Sequence, residues 1–222
     1  MMKKGFTLAE VLITLSIIGI VSVLTIPSMV KYYKYKLYAS ALKKTYSQLV
    51  DAAQQAMNDE LTNDFFKTTS GSIRNGSRTE GAAYFLKNYF KIARENCGNA
   101  SPSCVANVYT STGGATMTGQ KTGWGYCAQN TNGVSFCMSN WPDAGNNGKA
   151  QVMVDINGQD PPNITGVDAF VMSILSDGSV VDWSNNPDVC NTKQSSNNHA
   201  SDYATGCLTK VMQAGWVIEP IE

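Results

Sequence analysis

The segment KKGFTLAEVLITLSIIGIVSVLTIPSMVK carries one charge, Glu10, between Lys4 and Lys31. At ~1.5 Å of rise per residue, a helix needs ~20 apolar residues to cross the hydrocarbon core of a bilayer. This run is long enough to span. A cleaved secretory signal, the competing reading, has an apolar region of only ~7 to 15 residues and a small-residue A-x-A-like site, and no such site follows here. The run is therefore expected to stay with the protein as an anchor. Lysine does not orient it, because Lys3 and Lys4 at one end face Lys31, Lys34 and Lys36 at the other. The cysteines supply the direction: all six lie beyond the run, and an even set favours disulfides in an oxidising compartment. The expected topology is N-terminus in, body out.

An acid within such a run costs ~2.5 to 3.5 kcal/mol even on lenient insertion scales, so it needs a partner or a function. Gly5-Phe6-Thr7-Leu8-x-Glu10, preceded by two lysines and followed by the apolar helix, resembles the class III signal of type IV pilins and type II secretion pseudopilins. The resemblance covers roughly the first 30 residues. It implies that a membrane peptidase cuts between Gly5 and Phe6 on the cytoplasmic side and methylates the new N-terminus, Phe6. A glycine at the cut leaves the backbone accessible at the end of an apolar helix. Removing Lys3 and Lys4 leaves 15 basic against 17 acidic residues.

Cleavage also creates the partner that Glu10 lacks, a charged amine on Phe6. Within one helix that amine sits four residues away and can satisfy Glu10 locally. In a filament the family pairs the acid with the amine of the neighbouring subunit, and fixing register is the best-attested use of a buried ion pair. Gly19 and Pro27 match positions where pilin helices loosen or bend. The implied partners are the prepilin peptidase/N-methyltransferase, further copies of this chain or related pilins, and an inner-membrane assembly platform. The implied location is a single-pass inner-membrane precursor with its head in the periplasm, then a periplasmic or cell-surface filament.

Beyond the span, KLYASALKKTYSQLVDAAQQAMNDE places Tyr38, Leu42, Tyr46 or Thr45, Leu49, Ala53 and Met57 at steps of three and four, the mark of an amphipathic helix with one buried face. A stem from Phe6 to about Asp59 follows, ~80 Å long, interrupted at Pro27, which lacks an N–H and clashes with the preceding turn. Tyr32, Tyr33, Tyr35 and Tyr38 suit either a membrane interface or packing on protein. GAAYFLKNYFKIAREN predicts a second helix, with Ala83, Leu86, Tyr89 or Phe90, and Ala93 on one face. Alternation predicts strands at 124–129, 134–138, 152–156, 169–175 and 180–183, with a hairpin signal at Ser176-Asp177-Gly178. CLTKVMQAG reads as a short helix stopped by Gly215, before a WVIEPIE strand or tail. The expected fold is α+β: a leader at 1–5, an assembly helix at 6–30, its amphipathic half at 31–60, and a head at 61–222 in which the helix packs on an antiparallel sheet, as in pilins.

The cysteine spacing suggests three local pairs. A three-residue loop at Thr131-Asn132-Gly133 would set Cys127 opposite Cys137 in a hairpin. Cys97 with Cys104 would clip CGNASPSC, and Cys190 with Cys207 would close the polar segment between them, each restricting the unfolded chain by ~3 kcal/mol. Buried free thiols and a zinc site are the alternatives; with one histidine, His199, and no C-x-x-C pair, zinc has little to stand on.

VDINGQDPPNITGVDAF crowds Asp155, Asn157, Asp160, Asn163 and Asp168 around two glycines. Such oxygen density suits calcium, with Asp155, Asn157 and Asp168 as the ligands to expect. It departs from the EF-hand pattern, and turns capped by Asx side chains account for the same residues without metal. The fit to calcium-stabilised pseudopilin heads is loose, and no other cofactor is suggested. No G-x-S-x-G, H-E-x-x-H or phosphate-cradling G-x-x-x-x-G-K occurs. His199 lies in a polar stretch read as a solvent-exposed loop, and the Gly- and Thr-rich run at 110–123 reads as an exposed loop. An enzyme is therefore not expected, and the balanced charge argues against nucleic acid. The resemblance implies a structural subunit of a type IV pilus or a type II secretion pseudopilus; the alternative is a minor tip pilin acting as an adhesin or DNA-uptake module.

Overall fold

A computed structural model describes residues 5–73, 75–118, 125–142, 148–192 and 204–220. Lys3, Lys4, Trp124 and His199 lie outside the described residues, as do residues 119–123 of the Gly- and Thr-rich run.

One helix, α1 (Leu8–Asp59), carries the chain from the N-terminus into the head. Its two halves face different surroundings. Leucine, isoleucine and valine cover all sides up to Val30 and are exposed, whereas from Tyr35 onward one stripe of Tyr35, Ala39, Leu42, Thr45, Leu49, Ala52, Ala53, Ala56 and Met57 is buried. The expected interruption at Pro27 is absent: the helix continues through it. Pro27 forfeits one backbone bond, and the turns on either side hold, with the Thr25 hydroxyl donating to Val21 O (2.9 Å) and the Ser28 hydroxyl to Thr25 O (2.8 Å). The helix stops at Glu60, and Leu61 follows with φ 51°.

The buried stripe lies on a six-stranded antiparallel sheet in the order β1-β4-β5-β6-β7-β8. The strands are β1 (Ile92–Arg94), β4 (Tyr126–Asn130), β5 (Ser135–Trp141), β6 (Lys149–Asp155), β7 (Ala169–Ile174) and β8 (Val180–Asp182). Alternation along each strand gives the sheet two apolar faces. Ala128, Phe136, Met138, Val152, Val154, Phe170, Met172 and Ile174 join α1 in the main core. The intervening Cys127, Cys137, Met153, Ala169 and Val171 build a second core on the opposite face. A two-stranded ribbon, β2 (Val108–Thr110) with β3 (Thr116–Thr118), covers that face through Tyr109 and Met117, which pair directly and are both fully buried. Part of the run expected to be an exposed loop is thus structural, because its apolar side chains have an apolar sheet face to cover.

Helix α2 (Glu80–Tyr89) is shorter than its sequence pattern suggested. It buries Gly81, Ala82, Phe85 and Leu86; of the expected face Leu86 is buried and Tyr89 and Phe90 pack on the core, but Ala83 is only half-buried and Ala93 is in strand β1. The reason is packing: Phe85 meets Phe65, Tyr89 and Phe90 at ring separations of 5.5 to 5.7 Å, and that cluster draws the chain onto the sheet edge. Gly81 allows the approach, since a Cβ there would stand 2.6 Å from the Ser72 carbonyl oxygen. The β7–β8 turn, with Gly178 at φ 76°, is tied to α1 by Gln54 Nε2 donating to Asp177 O (3.1 Å), and below it Tyr46 Oη donates to Val180 O (3.1 Å). Helix α3 (Cys207–Gln213) ends before Gly215; Trp216 packs on Tyr46 (5.4 Å), and the segment beyond forms a tail rather than a strand.

All three local disulfides are formed: Cys97–Cys104, Cys127–Cys137 and Cys190–Cys207. Cys127 and Cys137 are directly opposed across β4 and β5, with Gly133 at φ 86° in the three-residue turn.

The two halves of α1 should respond differently to truncation. Leu49→Ala empties a fully buried position and is expected to cost ~2 to 5 kcal/mol, whereas Leu24→Ala, at a position 73% exposed, should change head stability by less than ~0.5 kcal/mol. Denaturant midpoints of the full chain in detergent check both.

Candidate functional site

The N-terminal signal residues form an open approach to a capped helix. Gly5 and Phe6 are exposed, Phe6 at 90%, and among the described residues, its chain neighbour aside, no atom lies within 4 Å of where a Cβ on Gly5 would be. A protease can therefore reach the Gly5–Phe6 bond without unfolding the head. Thr7 is the N-cap, in extended backbone at φ −81° and ψ 152°. Its hydroxyl accepts from Glu10 N (3.2 Å), while Glu10 Oε2 accepts from Thr7 N (2.8 Å) and from the Thr7 hydroxyl (2.8 Å). This reciprocal arrangement is a capping box, which satisfies helix-end N–H groups that have no partner within the helix.

Glu10 in the single chain is thus already hydrogen-bonded, by its own helix end rather than by a cation. The sequence reading missed this role, although Thr7-x-x-Glu10 ahead of an apolar run carries its signal. Beyond the box, α1 passes by length and hydropathy as a membrane-crossing helix, and none of its apolar window is buried in the protein. Gly19 is open on all sides. Pro27 marks the top of the naked segment, a few residues before the first buried side chain, Tyr35.

The acidic loop is the second candidate. Asp155 ends β6 opposite Ala169, which brings it beside Asp168, and both carboxylates are essentially without solvent contact. The two belong to different turns. Asp155 Oδ1 accepts from Asn157 N (3.3 Å) and its Oδ2 accepts from the Tyr109 hydroxyl on the ribbon. Asp168 accepts from Asn163 N (2.8 Å) and Ile164 N (2.6 Å), closing the Pro161–Pro162 turn. The Asn157 side chain donates to Asp160 O (2.7 Å) and Pro161 O (3.1 Å). Of the three residues expected as ligands, Asp155 and Asp168 lie side by side and Asn157 meets Asp155 through its backbone N–H, while its side-chain amide holds the backbone carbonyl of the exposed Asp160. Among the described residues no group of three or more His, Cys, Asp or Glu side chains gathers around one point. The oxygens on offer are two carboxylates and Asn157 Oδ1, which is buried without a hydrogen-bond partner.

Burial pushes the Asp168 carboxyl up to about 6, against the pull of the Ile164 and Asn163 N–H groups. Burial, and then the neighbouring Asp168, drives Asp155 well above the ordinary carboxylate range. The Tyr109 phenol is likewise raised by burial and by Asp155, and so keeps its proton as a donor. Two acids in one dry site hold a proton that the unfolded chain releases near pH ~4.

The sign of the pH dependence follows. A carboxyl raised in the folded state contributes stability that is complete below ~4 and is lost as pH rises through about 6. For Asp168 the scale is about 3 kcal/mol, at ~1.36 kcal/mol per unit. Denaturation of the full chain between pH 4 and 8 should show the wild type losing stability relative to Asp155→Asn, which has one acid fewer. Asp177, held below its ordinary value by the Ser179 hydroxyl and N–H, acts in the opposite direction and is common to both proteins. A difference between the two that does not change with pH would contradict the pairing.

Neither a curated protein nor a solved structure matches the chain. The N-terminus does match: residues 1–26 fit the family model of the prokaryotic N-terminal methylation motif. The chain thus couples a pilin-like α+β architecture to the N-terminal signature of type IV pilins and pseudopilins.

Proposed function

We propose that the chain is a filament subunit of the type IV pilus or type II secretion pseudopilus kind, inserted as a membrane precursor and polymerised through α1 after cleavage between Gly5 and Phe6. One observation carries this reading: the methylation motif sits on a helix whose first 23 residues bury nothing within the protein. An apolar surface of that length has two ways to leave water, lipid or the same surface of other copies, and polymerisation exchanges the first for the second. The head, with its disulfides outside the reducing cytosol, rides above.

The switch between the two states is chemical. Before cleavage Phe6 has an amide nitrogen, and Glu10 closes the capping box with Thr7. Cleavage turns that nitrogen into an amine that keeps its charge on methylation. Both donors from Thr7 meet Oε2 of Glu10, which leaves Oε1 to receive the amine of an incoming subunit while the box holds the carboxylate in place. In an apolar surround such a pair rewards one register and penalises every shifted one.

A divalent cation in the acidic loop is a second element of the proposal, favoured by the buried Asp155 and Asp168 and by the buried, unpartnered Oδ1 of Asn157 on the same loop. Calcium takes 6 to 8 oxygens, so backbone carbonyls would complete the shell and the ion would replace the shared proton. Calorimetric titration of the full chain in detergent with calcium chloride is expected to show binding that Asp168→Asn abolishes; no binding at millimolar calcium leaves the proton as the sole occupant.

Glu10→Ala should still insert and be cleaved, because the cut site and the apolar span are intact, yet yield few filaments. Sheared filaments viewed by electron microscopy and assayed for this subunit test the claim. Filaments of wild-type yield from the mutant would rule out the pairing, and the proportion of this subunit in them distinguishes a repeating subunit from one at the tip.

A further inference from the structure

A groove of about 580 Å³ opens where the stem enters the head. One wall is a single face of α1, from Pro27 and Val30 up to Lys34 and Tyr38; the other is the Pro162–Ile164 turn. The turn is held in place by Asp168, which accepts from Asn163 N and Ile164 N, so the wall is built into the fold. Its lining is apolar apart from the lysines at 31 and 34 and the hydroxyls of Tyr35 and Tyr38.

The height of this groove decides what reaches it. A bilayer core of ~30 Å takes up ~20 helical residues, so with Leu8 at one boundary the other falls near Pro27. Pro27 and Val30 then lie at the outer edge of the acyl-chain region, and Lys34 stands about one helical turn above Val30, at the level of the headgroups. An apolar cleft with a cation on its wall is complementary to an amphiphile with a negative head. The α1 helix of a second copy fits the apolar part but brings nothing for the lysine: its one acid in the span, Glu10, is ~36 Å away along a parallel helix.

We infer that the groove between α1 and the Pro162–Ile164 turn holds one anionic phospholipid, its phosphodiester on Lys34 and its upper acyl chain against Pro27, Val30 and Ile164. This rests on α1 being the membrane anchor. The site gives the precursor a seat at the membrane surface that fixes the depth of the head before assembly, and extraction into a filament has to vacate it.

The full chain is reconstituted into nanodiscs of equal parts phosphatidylglycerol and phosphatidylcholine, released into mild detergent, and its retained lipid is counted by native mass spectrometry. Phosphatidylglycerol should be retained about fivefold over phosphatidylcholine, the scale set by one lysine at an anionic surface. The preference should survive Lys34→Arg and vanish in Lys34→Gln, an exposed helical position. Ile164→Trp, which fills the cleft, should lower retention of both lipids. Equal retention by the wild type, an unchanged preference in Lys34→Gln, or recovery of a second protein chain in place of lipid would each overturn the site. A chain that fails to enter the nanodisc would instead refute the anchor itself, and the insertion step reads that outcome separately.

Discussion

A single helix has to be satisfied by two media, and the rest of the molecule is arranged around that demand. Its lower half is apolar on every side and leaves water only by entering lipid or a bundle of its own kind. Its upper half is apolar on one stripe, and the six-stranded sheet exists to cover that stripe. The change falls within a few residues, between Pro27 and Tyr35, where the lysines, the tyrosines and the groove under the head also lie. Because α1 runs unbroken through Pro27, the position of the head relative to the span follows from helical geometry rather than from a linker.

The sheet pays for two apolar faces with a second covering layer. The disulfides Cys97–Cys104 and Cys127–Cys137 and the β2–β3 ribbon close the face away from the helix. The ribbon is fastened by the Tyr109 hydroxyl on Asp155, beside Asp168, which organises the turn that walls the groove, and by Thr110, whose N–H donates to Asn163 O and whose carbonyl accepts from Thr165 N. The buried acid pair thus links the outer layer of the head to the wall nearest the membrane. Its ionisation opposes folding and its neutralisation supports it, so a proton or a cation at that point bears on both regions.

Much of this was legible in the residues. The anchor, the amphipathic stripe and the four longer strands, β4 to β7, follow from periodicity, which depends on side chains that repeat over many residues. The cysteine pairs followed from spacing because each closes a short local loop. Three-residue strands leave little alternation to detect: β8 stood out because the Ser176-Asp177-Gly178 turn signal precedes it, whereas β1, β2 and β3 did not stand out, and Met117 lay in a run read as an exposed loop. The boundary of α2 was lost for a different reason: Ala83 and Ala93 fit a helical step, but a cluster of phenylalanines from separate elements decides which face is buried. Glu10 was recognised as the unusual residue of the span, yet its local partner was not, since a capping box and an intersubunit ion pair place an acid at the same position. The density of Asp155, Asn157 and Asp168 pointed to this loop; that both acids would be fully enclosed was not legible, because enclosure depends on the ribbon.

The central claim is that cutting the chain turns an anchored, capped helix into an assembly element. The N-terminal peptide of the subunit recovered from sheared filaments tests it most directly, by mass spectrometry. The account predicts a peptide that begins at Phe6 and carries one N-methyl group. Filament-borne subunits that still retain Gly5 and the residues before it would contradict it.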